Sequence, residues 1–136
     1  MKDVIVWIGA GQIGMAIARR VGYGKKIVVG DRSLANAERA ATTLQEAGFD
    51  CTATEADLSS RESILSLIAT AQRFGDIAML INSAGVSPSQ APIATILKVD
   101  LYGTAVLLEE VGKVIKPGGV GVTISSQSGH RMPALG

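Results

Sequence analysis

The stretch Val4-Ile5-Val6-Trp7-Ile8-Gly9-Ala10-Gly11-Gln12-Ile13-Gly14-Met15-Ala16-Ile17-Ala18 changes character twice. It opens as an apolar run rich in β-branched residues, the pattern of a strand buried on both faces. Glycines then follow at G-x-G-x-x-G spacing. Past them Ile13, Ile17 and Val21 recur four apart, the period of a helix. The three glycines serve different ends in that context. Gly9 permits a tight turn, Gly11 lets a backbone approach a pyrophosphate, and Gly14 lets the helix pack closely on the strand. The main-chain amides about the turn, those of Gln12 and Ile13 among them, would face the phosphates at the positive end of the helix.

The same letters fit a strand–turn–helix that binds nothing. Asp31 separates the two readings. It closes a second apolar run, Ile27-Val28-Val29-Gly30, about 20 residues past the glycines, where an acid can accept the ribose hydroxyls of an adenosine.

The rest of the chain repeats the alternation. The first helix ends near Gly22 and Gly24, with Arg19, Arg20 and Lys25 at its negative end. Lys26 to Gly30 is the second strand, and Ser33 is placed to cap the next helix. That helix turns Ala37, Ala40, Ala41, Leu44 and Ala47 to one face and stops at Gly48. Phe49 to Ala53 reads as a third strand, and Ser59 with Glu62 as a capping box. Ile64, Leu67, Ile68 and Ala71 form the stripe of the following helix. Ile77 to Ile81 is a fourth, fully apolar strand, ending in Asn82-Ser83-Ala84-Gly85. Val86 to Pro92 is a loop, and a long helix runs from near Ile93 to Lys116. Val120, Val122 and Ile124 alternate as a fifth strand. Such alternation predicts an α/β fold: a doubly wound parallel sheet in three α/β/α layers, with right-handed crossovers and strand order 3-2-1-4-5. Ligand would sit at the carboxyl ends of strands one and four.

The bulk numbers agree and exclude several classes. At 136 residues, with 47% hydrophobic and 18% charged residues, the chain reads as one globular domain spanning 1–136. A net charge of +1 with scattered Lys and Arg leaves no footprint for nucleic acid or an anionic membrane. No apolar run reaches the ~18 residues of a membrane span. Cys51 is the sole cysteine, so no internal disulfide forms, and a reduced, cytoplasmic setting fits. Cys51 itself reads as a small buried hydrophobe.

With these residues in order, the chain resembles the short-chain dehydrogenase/reductase family, a Rossmann-fold family, over nearly its whole length. Asp57-Leu58 resembles the family's adenine-contacting position. Asn82-Ser83-Ala84-Gly85 is similar to its Asn-Asn-Ala-Gly motif, which stabilises the sheet beside the cofactor. Val99-Asp100-Leu101-Tyr102-Gly103 is similar to its Val-Asn-x-x-Gly helix motif, and Ile124-Ser125-Ser126-x-x-Gly129 to the segment that carries its catalytic serine, by register Ser126. The resemblance implies a nicotinamide cofactor, a small carbonyl or alcohol substrate, and hydride transfer in which Ser126 hydrogen-bonds the substrate oxygen. It also implies a homo-oligomer. Asp31 points to NAD; Arg32 beside it, a good phosphate partner, keeps NADP in view.

The sequence departs from the family in three ways. Its glycine pattern is one residue shorter and has one glycine fewer. Asp100 stands where the family has an asparagine that helps relay protons; it reads either as a charge change in that relay or as a solvated or N–H-bonded helix residue. Finally, the family's Tyr-x-x-x-Lys motif is missing. Tyr23 and Tyr102 are the only tyrosines, and neither has a lysine four residues on. The expectation is therefore the cofactor-binding, N-terminal part of a longer enzyme. His130 reads as a solvated loop residue. Two other readings stand beside this one: a non-catalytic cofactor sensor or scaffold on the same fold, and an S-adenosylmethionine-dependent methyltransferase. Gly14 and the Asn82–Gly85 segment count against the methyltransferase.

Overall fold

The computed structural model describes residues 3–58, 60–83 and 105–123. Their strands form one five-stranded sheet, all parallel, in the order β3-β2-β1-β4-β5. Along the chain run β1 (Val4–Ile8), α1 (Gln12–Val21), β2 (Lys26–Asp31), α2 (Leu34–Glu46), β3 (Asp50–Glu55), α3 (Arg61–Gln72) and β4 (Ile77–Asn82). A helix over 105–112, here α4, leads to β5 (Val120–Thr123). The order is the one expected from the sequence.

Strand alternation sorts the core onto the two faces of the sheet. Val4, Val6 and Ile8 of β1 turn one way, joining Val28, Leu80 and the inner stripes of α3 and α4, which include Ile64, Leu67, Val106, Leu107 and Val111. Ile5 and Trp7 turn the other way, joining Ile27, Val29, Ile81 and the α1/α2 stripe of Ala18, Ala40, Ala41 and Leu44. All five residues of β1 are buried, as a central parallel strand requires. The small alanines of α2 let it lie flat on β2 and β3.

Three local expectations are corrected. The third strand runs from Asp50 to Glu55, not from Phe49 to Ala53. Phe49 is held back because its N–H donates to Leu44 O at 2.9 Å, closing the end of α2, while β3 pairs β2 along its whole length. The cap of α3 is Ser60, not Ser59: Ser60 Oγ accepts from Ser63 N–H at 3.2 Å. With the helix starting at Arg61, Glu62 lies one position short of the capping-box site. Ser63 fills that site and accepts from Asp57 N–H at 2.9 Å. The helix expected from Ile93 to Lys116 is described only from residue 105, its start and the loop before it lying outside the described residues, and it ends at 112. Lys116 N–H donates to Ile77 O at 2.9 Å and so ties this connection to the start of β4. Ser33 does cap α2, accepting from Asn36 N–H.

At the amino-end rim of the sheet the buried Lys26 donates to Asp50 Oδ1 at 2.8 Å and Thr52 Oγ1 at 2.7 Å, and its ammonium lies 4.3 Å from the centroid of Phe74. Lys116 pairs with Asp3 at 2.9 Å nearby. These contacts fasten the rim opposite the one where the glycine turn lies.

Candidate functional site

The carboxyl ends of β1, β2 and β4 converge on the glycine turn. Gly9 adopts φ +87°, a conformation that L side chains rarely take, and its N–H donates to Gly30 O at 2.8 Å. Gly11 N–H donates back to Gly9 O at 2.8 Å, which closes the turn, and Gly11 O accepts from Met15 N–H as α1 begins. Gly11 stands at the cap position of α1 with no capping side chain and no acid in the first turn. A Cβ placed on Gly11 would meet nothing within 4 Å. The start of α1 therefore has no side-chain cap and open space beside Gly11, which suits an anion.

Gly14 has the opposite surroundings. A Cβ there would lie 2.1 Å from Trp7 Nε1 and 2.6 Å from Ser83 Oγ. Trp7 is fully buried in β1, and its Nε1 donates to Ser83 Oγ at 3.2 Å. The Ser83 hydroxyl reaches Gly9 O at 2.6 Å and Ile8 O at 3.0 Å, while Ser83 N–H donates to Ile8 O at 2.8 Å. The end of β4 is thus tied to the carbonyls on which the turn rests. Sequence reasoning misses Trp7 and Ser83 as site residues. The one available signal is a tryptophan in a buried strand, because its indole N–H needs a partner.

Asp31 is drawn onto the turn. Its Oδ2 accepts from Ala10 N–H at 2.8 Å and its Oδ1 from Ser33 N–H at 2.9 Å. One carboxylate thereby joins the glycine turn of β1 to the start of α2. Each oxygen keeps further acceptor capacity.

The other expected positions divide. Gln12 and Ile13 form the first turn of α1, so their amides stand at its open end. Arg32 is exposed beside Asp31. Asn82 is buried at the end of β4, in register with Ile8 and Thr123. Asp57 follows β3, and its amide is bound to Ser63. The side chain of Leu58 is buried in the apolar cluster on the α3 face, so only its main chain is left to meet a ligand. Ala84, Gly85, Asp100 and Ser126 lie outside the described residues. No cluster of metal-ligating side chains occurs among the described residues, and no helix among them is long and apolar enough to cross a membrane.

Cys51 takes no part in this site. It sits in register with Ile27, far along β2 from Asp31. Burial pushes its thiol up to about 12, with the Lys26 ammonium pulling the other way.

Comparison with known proteins places this geometry. A model of the short chain dehydrogenase family matches residues 2–136. The short-chain dehydrogenase/reductase bsc3 of Alternaria brassicicola is 40% identical over 131 residues, covering 96% of this chain and 48% of that protein. A short-chain dehydrogenase/reductase from Burkholderia phymatum, solved in complex with NAD, superposes with a TM-score of 0.81 at 25% identity, over 97% of this chain and 52% of that one. An actinorhodin polyketide ketoreductase variant solved with NADPH gives a TM-score of 0.77 at 28% identity, over 96% of this chain and 55% of that one. This chain therefore spans about half the length of these relatives. With the sheet order, the glycine turn and the matched residues in agreement, the chain belongs to the short-chain dehydrogenase/reductase family.

Proposed function

We propose that this chain is the cofactor-binding part of a nicotinamide-dependent oxidoreductase acting on a small carbonyl or alcohol. The observation that carries the reading is the open, uncapped start of α1 at Gly11, with the carboxylate of Asp31 fastened beside it. A helix start without a side-chain cap and a carboxylate with spare acceptor capacity are the two features that a diphosphate and its neighbouring ribose require. A relative solved with NAD and another solved with NADPH support the cofactor class.

In this reading the amides of Gln12 and Ile13 hold the phosphates, Gly11 leaves room for their approach, and Asp31 accepts from the ribose. Asp57 and Leu58 border the adenine, while Asn82, Ala84 and Gly85 border the cofactor at the end of β4. When bound, the nicotinamide supplies or takes up the hydride. Ser126 hydrogen-bonds the substrate oxygen as charge develops there, and Asp100 holds the relay position. The carboxylate of Asp31 favours NAD, because a 2′-phosphate would meet a negative charge; Arg32 is the residue that would answer for NADP. A homo-oligomer in the cytoplasm completes the reading.

The test is a titration of this chain with NADH, NADPH and S-adenosylmethionine, followed by calorimetry and by energy transfer from Trp7, the only tryptophan. NADH is expected to bind most tightly and to quench Trp7 emission. Absence of heat with both nicotinamide nucleotides, or binding of S-adenosylmethionine alone, overturns the reading.

A further inference from the structure

The end of β3 carries a second carboxylate next to Asp31. Asp31 and Glu55 are register partners at the last position where β2 and β3 pair. Adjacent strands lie about 4.8 Å apart. Alternation assigns both residues to one face: Ile27 and Val29 lead to Asp31, and Cys51 and Ala53 lead to Glu55, all on the α1/α2 side of the sheet. That is also the side on which α1 leaves the glycine turn.

The two carboxylates differ in what they already hold. Both oxygens of Asp31 are engaged, one by Ala10 N–H and one by Ser33 N–H. Glu55 is exposed and carries no side-chain hydrogen bond or ion pair among the described residues. A neighbour on the same face with both oxygens available is the better-placed acceptor for a hydroxyl arriving beside Asp31, and a second charge against any phosphate there.

Resting on the nucleotide reading above, we propose that Glu55 is a specificity-determining residue. It reads the 2′ position of the adenosine ribose together with Asp31, and it disfavours a 2′-phosphate. Asp31 is then chiefly the residue that sets the turn, and Glu55 the one that senses the sugar substituent.

The experiment measures dissociation constants for NADH and NADPH on this chain and on Glu55→Gln, Glu55→Lys and Glu46→Lys. Glu46 lies at the far end of α2 and reports the effect of net charge alone. For exposed charges separated by a few ångströms, screening leaves an effect of about threefold in the NADPH-to-NADH ratio for Glu55→Gln and about tenfold for Glu55→Lys. Both should move towards NADPH, with the larger shift at low salt. A ratio unmoved in both variants, while the parent chain binds NADH, overturns this proposal and leaves the nucleotide reading standing. An equal shift in Glu46→Lys also overturns it. A parent chain that binds neither nucleotide overturns both.

Discussion

The indole N–H of Trp7 meets the hydroxyl of Ser83 at 3.2 Å, across residues 76 positions apart, and the same hydroxyl reaches Gly9 O at 2.6 Å. This contact joins β1 to β4 where the glycine turn begins. It explains why the helix glycine cannot be enlarged, since the indole and the hydroxyl already fill the space above Gly14.

Replacing Ser83 by Ala leaves the buried indole N–H of Trp7 without its partner, while Gly9 O keeps only the Gly11 N–H. A lost hydrogen bond of this kind costs about 1–3 kcal/mol. Urea unfolding followed by Trp7 emission should show that loss, with a shift of the native emission maximum. Ser83→Thr, which keeps the hydroxyl, should recover most of it.

Gly14→Ala and Gly11→Ala are expected to separate stability from binding. At Gly14 the added carbon meets Trp7 and Ser83 at 2.1 and 2.6 Å. Over-packing of this type costs about 1–3 kcal/mol, read as a lower unfolding midpoint. At Gly11 the new methyl enters open space, with φ at −96°. Stability there should change by about 1 kcal/mol or less, while NADH titrations should show a marked loss of affinity, because the methyl occupies the approach to the amides.

Asp31→Ser removes the acceptor for the Ala10 and Ser33 amides together with a charge. Loss of hydrogen bonds to a charged group is worth about 1.5–3 kcal/mol each at most, less for a half-exposed site. The variant should be less stable in denaturant, bind NADH more weakly, and exclude NADPH less. Unchanged affinity for both nucleotides would remove Asp31 from the site.

Cys51 sets a pH dependence at the alkaline end. Its thiol is raised from an ordinary value of 9.0 to about 12 in the folded chain. The folded state thus keeps a proton that the unfolded state releases first. Its contribution to stability is fully present below pH 9.0 and is lost progressively as pH rises towards about 12. Between about pH 9 and pH 12, unfolding free energies should fall more steeply in the parent than in Cys51→Ala. The native thiol should also resist alkylation at neutral pH.

The fold is legible in the sequence because its signals are periodic. β1 and β4 are apolar throughout, the α2 and α3 stripes keep helical spacing, and the glycines mark the turn between strand and helix. What escapes is decided by partners distant in sequence or by a single boundary residue. Phe49 has the β propensity of a strand residue, but the closing bond to Leu44 O holds it in the end of α2. Ser59 and Ser60 both fit a cap, and only the starting residue of α3 chooses between them. In the site, spacing reveals the glycines and Asp31. It does not reveal the Trp7–Ser83 contact, because no local pattern relates β1 to the end of β4. Nor does spacing show that the carboxylate of Asp31 is committed to backbone amides.

That commitment constrains how this scaffold can change its diet of nucleotides. A lineage that exchanged Asp31 to admit a phosphorylated sugar would also have to find a new acceptor for the Ala10 and Ser33 amides, or accept a slacker turn. A substitution confined to the end of the neighbouring strand disturbs no main-chain contact. Drift in coenzyme preference among descendants of this chain should therefore begin at position 55 and reach position 31 only after compensation elsewhere.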